Sequence, residues 1–161
     1  SIVLIFVSLS VYGQNEKEVV QMDLVQFKNV LKTNPITMAF GDFNVTWETT
    51  ISSKGTLNFT GNFFTNLFDE DFTGFALTAG YKYYFTHEKL GIPEGFYVRA
   101  LGGILGADGA VGFRVAGQVG YQWIWTSGFV FDIGLGPQVI FIDEDYSGVV
   151  PSLFLGIGYA F

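Results

Sequence analysis

Five charged side chains stand at strand-like intervals among apolar neighbours: Glu48, Lys82, Arg99, Arg114 and Asp132. Two carboxylates set against three cations are the ingredients of a buried ion-pair network, because a charge withdrawn from water is costly unless it is paired. The same groups in a wetter setting would pass a proton or an ion. A second set is Asp69-Glu70-Asp71 and its echo Asp143-Glu144-Asp145, each followed by an aromatic residue, a hydroxyl residue and Gly. Such carboxylates stop strands and keep loops wet. They can also capture Ca²⁺ or Mg²⁺ weakly, although the spaced oxygen ligands of a dedicated calcium loop are missing, so no metal site is assigned. The single histidine, His87, lies beside Glu88 and Lys89 in a turn-like stretch and reads as solvated; no catalytic residue is assigned. No Walker, Rossmann or zinc spacing occurs, and no cofactor is expected.

What must position these charges is read from composition and pattern. The 161 residues include 18 Phe, 8 Tyr, 3 Trp and 21 Gly, with only 14% charged and a net charge of −7. That is too apolar for a disordered chain and leaves too little polar surface for a soluble domain. The acidic balance offers no basic stripe, so nucleic acid is not an expected partner. Cysteine is absent, which removes disulfides and thiolate metal sites. No apolar run reaches the roughly 20 residues of a spanning helix. Strands are the other way to cross a bilayer, since lipid requires every backbone group to be paired.

Period-two alternation marks strands at about Asn29–Phe40, Phe43–Ile51, Thr56–Phe64, Phe75–Phe85, Phe96–Leu105, Val111–Trp125, Phe129–Ile142 and Val149–Phe161. Most match the ~9–11 residues of a tilted spanning strand. Between them lie Gly41-Asp42, Ser52–Gly55, Thr65–Gly74, Thr86–Gly95, Gly106–Gly109, Thr126–Gly128 and Asp143–Gly148, each with a glycine to supply the positive φ of a tight hairpin. Single-chain bacterial barrels have an even strand number, which favours splitting Ile36–Ile51 at Gly41-Asp42 and counting eight. The facing of residues before Phe40 stays open, with Pro35 a candidate bulge. Pro137 and Pro151 should mark a bulge or a strand end, since each removes a ladder donor.

The two faces of these strands are inverted relative to a soluble barrel. Val45, Trp47, Phe59, Leu77, Tyr81, Val98, Phe113, Val115, Val119, Ile133 and Leu135 share one face, and from Phe43 onward no charged residue joins them. The other carries Asn44, Thr46, Glu48, Asn58, Thr60, Asn62, Lys82, Arg99, Arg114, Gln118, Gln122, Asp132 and Gln138, padded with Gly and Ala. A polar interior in an apolar exterior is the membrane-barrel pattern. The expected fold is all-β: an eight-stranded antiparallel up-and-down transmembrane β-barrel. Its lumen is wide enough only for side chains. Glu48 or Asp132 is the expected partner of Arg114. Tyr121, Trp123, Trp125 and Phe129, level with Tyr159 and Phe161, should form an aromatic girdle at the periplasmic rim.

Residues 1–13 have the apolar core and compact −3 and −1 positions of a signal-peptide remnant, with cleavage expected before Gln14. Residues 14–27 are charged and weakly patterned, an expected periplasmic N-terminal lead-in, and 28–161 form the barrel. The chain resembles the small outer-membrane β-barrel family, the eight-stranded OmpA membrane-domain and OmpX type. The likeness rests on Asn29 to Glu48, Gly80–Phe85 with Pro93–Tyr97, Gly120–Trp123 and Gly156–Phe161. It implies location in the bacterial outer membrane, contact with outer-membrane lipid, and recognition by the barrel-assembly machinery through Gly156, Tyr159 and Phe161. Phe154 departs from that signal, which has a polar residue there. On this reading both acidic runs lie in extracellular loops, where bound cations would bridge to lipid phosphate. The expected function is a non-enzymatic structural or interaction barrel with a plugged polar lumen. The alternative is a lipid-modifying enzyme or a small-solute channel. No oligomeric state is assigned.

Overall fold

Alternating inward and outward side chains let a sheet close on itself, and here eight strands do so. The computed structural model describes residues 27–65, 73–85, 93–107, 109–143 and 146–161. The strands are β1 (Asn29–Thr33), β2 (Asp42–Thr50), β3 (Gly55–Thr65), β4 (Thr73–Tyr84), β5 (Gly95–Ala107), β6 (Ala110–Ile124), β7 (Phe129–Asp143) and β8 (Tyr146–Ala160). Each pairs antiparallel with its neighbours in sequence, and β1 pairs with β8 to close the barrel. The lower end is where β1 starts, β8 stops and the β2–β3 and β6–β7 turns lie; the upper end is opposite. Backbone bonds between Phe161 and Asn29, 2.8 Å in each direction, tie the closing seam at the lower end.

The facing follows the alternation. Outward positions include Val45, Trp47, Phe59, Leu77, Val98, Phe113, Val115, Val119 and Leu135, all well exposed. Among the described side chains of the strands, no charged one faces outward. Glu48, Lys82, Arg99 and Asp132 are buried inside, and Arg114 also points inward. Among the described side chains the tyrosine and tryptophan rings gather toward the lower end. Tyr121 lies 4.4 Å from Trp123 between ring centres, Trp123 5.6 Å from Phe131, and Trp125 5.3 Å from Phe129.

Three expectations need correction. The first strand does not run to Phe40: β1 stops at Thr33 and a five-residue helix, α1 (Pro35–Ala39), follows. Asn34 caps α1, its side chain accepting from Ile36 N at 3.1 Å and Thr37 N at 3.3 Å, and Pro35 occupies the first helical position, where no N–H is needed. Pro35 is therefore a helix start and not a bulge. Asn44 secures the cap from β2, accepting from Asn34 N at 2.9 Å and donating to Thr37 Oγ1 at 2.8 Å.

Second, Pro137 and Pro151 mark neither a bulge nor a strand end; they face one another within the β7–β8 ladder. Two residues without N–H can share only a non-hydrogen-bonded site, where both donors would point away from the pair. On the β7 side, pairing with β6 skips from Ala116↔Gln138 to Val119↔Leu135 without a register shift. On the β8 side, β1 pairs only with Ile157 to Ala160, so Pro151 lies where β8 has no strand on the side away from β7. The irregularity in β7 falls instead between Phe141 and Asp143.

Third, the turn glycines divide. Gly41, Gly95, Gly109 and Gly128 have positive φ. Gly55, Gly74, Gly106 and Gly148 lie within strands, because β3, β4, β5 and β8 each extend further than the alternation indicated.

Candidate functional site: a sealed ion cluster beneath a polar vestibule

Four charged side chains meet in the lower half of the lumen: Lys32 of β1, Glu48 of β2, Lys82 of β4 and Asp132 of β7. All are fully buried. Strand register sets their common height, with Val30↔Glu48, Lys82↔Arg99 and Gln122↔Asp132 as neighbouring rungs. The Lys32 ammonium donates to Glu48 Oε2, to Asp132 Oδ2 at 2.7 Å and to Gln122 Oε1 at 2.6 Å. Lys82 donates to the same three oxygens, at 3.3 Å, 2.6 Å and 3.1 Å. Each ammonium has three protons, and each meets three acceptors.

The remaining carboxylate oxygens are also engaged. Glu48 Oε1 accepts from Thr56 Oγ1 at 2.6 Å and Tyr84 OH at 2.7 Å; Asp132 Oδ1 accepts from Tyr97 OH at 2.7 Å. Gln122 is held by its own amide, which donates to Pro93 O at 2.6 Å. Two cations and two anions cancel, and the network leaves no idle donor on either ammonium. A fully satisfied buried network rigidifies its surroundings, so this arrangement suits a fixed plug better than a proton relay.

The plug has a floor and a roof. Below it Phe27, Val30, Ile124, Val130 and Ala160 form an apolar cluster across the lower end. Above it the Phe154 ring lies 5.8 Å from Lys32 Nζ and 5.3 Å from the Arg99 guanidinium carbon, within cation–π range. Lys82 Nζ sits 4.1 Å from the Tyr97 ring centre. Glycine makes room for that ring: a Cβ on Gly134 would come within 2.7 Å of the Tyr97 hydroxyl. Gly134→Val should therefore displace Tyr97 from Asp132 and cost about 1–3 kcal/mol, the usual penalty of overpacking. Urea unfolding would show it, and combining it with Tyr97→Ala should remove most of the penalty. An undiminished penalty in that double variant would mean that Tyr97 is not what the valine strikes.

Above Phe154 the lumen is wider than the side-chain-filled interior expected of eight strands: it opens into a polar vestibule, a cavity of about 220 Å³ lined by Asp42, Asn62, Thr78, Arg99, Arg114 and Ser152 among others. Arg99 donates from Nε to Asn58 Oδ1 at 3.0 Å and from Nη1 to Gln118 Oε1 at 3.4 Å. Arg114 donates from Nη2 to Thr78 Oγ1 at 2.6 Å and to Asn62 Oδ1 at 3.1 Å.

The structure thus gathers Glu48, Lys82 and Asp132 but not the two arginines: Arg99 shares the Lys82 rung yet its guanidinium meets neutral acceptors, as does that of Arg114, which lies higher in the lumen. Arg114 is paired with neither Glu48 nor Asp132, contrary to expectation. Lys32, which the open facing of β1 had hidden, takes the second cationic place. Thr56, Tyr84 and Tyr97 were the other missed members, though each tyrosine stands two residues from an inward cation, Lys82 and Arg99 respectively. Gly156 and the outward rings of Tyr159 and Phe161 lie at the lower end of β8 and beyond it. Residues 1–26, His87, and the acidic groups Asp69, Glu70, Asp71, Glu144 and Asp145 lie outside the described residues, as does the Asp143 side chain. Among the described residues no group of three or more His, Cys, Asp or Glu could hold a metal.

The fold and lumen define a closed eight-stranded up-and-down barrel, polar inside and apolar outside. No family model, curated protein or solved structure matches the chain.

Proposed function

We propose that the chain is a non-enzymatic structural or interaction barrel of the bacterial outer membrane, its lumen closed by the Lys32–Glu48–Lys82–Asp132 cluster. The observation that carries this reading is the inverted polarity of the wall. Charges and amides point inward, while rows such as Phe113, Val115 and Val119 point outward without a charge among them. Water-soluble proteins rarely expose continuous apolar patches beyond a few hundred Å². In lipid the same surface is matched to its surroundings, and closure satisfies the backbone. The aromatic rings at the lower end suit a headgroup interface, which supports placing that end toward the periplasm. The resemblance to the OmpA membrane-domain and OmpX group supports the same location, and Gly156, Tyr159 and Phe161 are the residues that the barrel-assembly machinery would read. A complete ion cluster over an apolar floor argues against a channel for small solutes.

Refolded into lipid vesicles, the protein is expected to float with the lipid. Brominated acyl chains should quench Trp47, Trp123 and Trp125 most strongly when the bromine lies near the headgroups. In planar bilayers it should produce no stepwise conductance. Discrete conductance steps would favour the channel. A folded monomer that stays in the aqueous fraction without detergent would remove the membrane reading altogether.

A further inference from the structure

The vestibule has more cationic character than its architecture requires. All four salt bridges among the described residues belong to the cluster below it. Arg99 and Arg114 have only neutral hydrogen-bond acceptors there. Among the described residues one carboxylate, Asp42, lines the cavity, and its Oδ1 accepts from Asn62 Nδ2 at 2.8 Å. Two guanidinium groups against one carboxylate leave a net positive charge facing the cavity. Among the described residues one buried donor of the cavity lining, Arg114 Nε, has no partner. A buried donor left unmet costs free energy that a ligand can recover. Water can fill a hydrogen-bonding vacancy but brings no compensating charge.

We propose that the vestibule binds a small oxyanion, a phosphate or carboxylate group, held by Arg114 and Arg99. The guanidinium fork is built for planar oxygen pairs, and the Nε edge of Arg114 has a donor to spare. The hydroxyl and amide groups of Thr78, Asn62, Gln118 and Ser152 surround the space without adding negative charge. The shape of the wall allows two sources for such a group. Pro151 and Leu153, whose side chains face outward, also border the cavity, at the stretch of β8 that has α1 beside it in place of a strand. A free anion would enter from the upper end; the head of an amphiphile would enter there with its chain lying along β8. The site stands whether or not the barrel resides in a membrane.

The test is calorimetric titration of the refolded full chain in an uncharged maltoside detergent, with inorganic phosphate and with hexyl phosphate. Inorganic phosphate should bind saturably, and chloride at matched ionic strength should not reproduce the heat. Arg114→Gln and Arg99→Gln should each weaken binding about ten-fold or more, the loss expected for one charge-assisted hydrogen bond. Lys54→Gln, in the lower β2–β3 turn, should leave it unchanged. Tighter binding of hexyl phosphate assigns the site to an amphiphile head; equal or weaker binding assigns it to a free solute. Ser152→Leu, which narrows the cavity and touches neither arginine, should also abolish binding and serves if an arginine variant fails to fold. Absence of saturable binding by wild type overturns the proposal. So does binding that survives in a folded Arg99→Gln/Arg114→Gln double variant or in Ser152→Leu.

Discussion

Asp132→Asn should destabilise the barrel by about 3–5 kcal/mol, the cost of breaking a buried ion pair from one side. The substitution keeps the side-chain shape and removes one charge. Lys32 and Lys82 would then share Glu48 alone, leaving a net positive charge in a space sealed by Val30, Ile124 and Val130 below and Phe154 above. Either ammonium can be deleted in compensation. Lys82→Met in the Asp132→Asn background restores neutrality, with Lys32 still facing Glu48, and should recover much of the loss. Lys82→Met alone should be damaging for the converse reason, an excess carboxylate. Urea unfolding in lipid vesicles for the two single variants and the double gives the coupling directly. A double variant as unstable as the sum of the singles would mean that the charges are solvated independently. The plugged lumen would then give way to a water-filled one, and the channel reading would move ahead. Arg114→Met is the internal contrast: its hydrogen bonds go to Thr78 and Asn62 beside an open cavity, so it should cost less than any single change in the cluster.

That contrast shows where the sequence was informative. Period two separates inward from outward residues without any knowledge of height, so Glu48, Arg114 and Asp132 were legible as interior. Of the partners, Lys82 was legible for both carboxylates; the rest of the pairing was not. Height depends on register, and register places Arg114 opposite Ile140, well above the rung where Gln122 meets Asp132. The carboxylates were already taken by Lys32, whose facing could not be fixed while the stretch from Asn29 to Phe40 was read as one strand. The local signal for the break was present: Asn34 followed by Pro35 is a helix-start pair. Phe154 is a comparable case. Its departure from the polar residue of the assembly signal looks like a weak recognition site, but its inward ring covers Lys32 and Arg99, a role that appears only once β8 and β1 are side by side.

Leu135→Arg tests the surroundings of the wall as Asp132→Asn tests its contents. Leu135 lies near the middle of β7, faces outward with 56% of its surface exposed, and stands between Val119 on β6 and Leu153 on β8. At a bilayer midplane an arginine on the lipid face of a barrel costs about 2–4 kcal/mol, falling to about 0–1 kcal/mol near the interface. On a wall in water an exposed substitution of this kind is within about 0.5 kcal/mol of neutral. Tyr159→Arg supplies the comparison at the lower rim, where the side chain is 56% exposed and opposite Phe129. Equal exposure at the two sites removes burial against protein as the explanation of any difference. Leu135→Ala and Tyr159→Ala measure what truncation alone costs at each site, so the quantity of interest is the further cost of arginine over alanine. Unfolding in vesicles should show that cost to be larger at Leu135 by about 2 kcal/mol or more. Equal costs at the two positions would mean that the apolar wall does not face hydrocarbon; some other partner must then cover it.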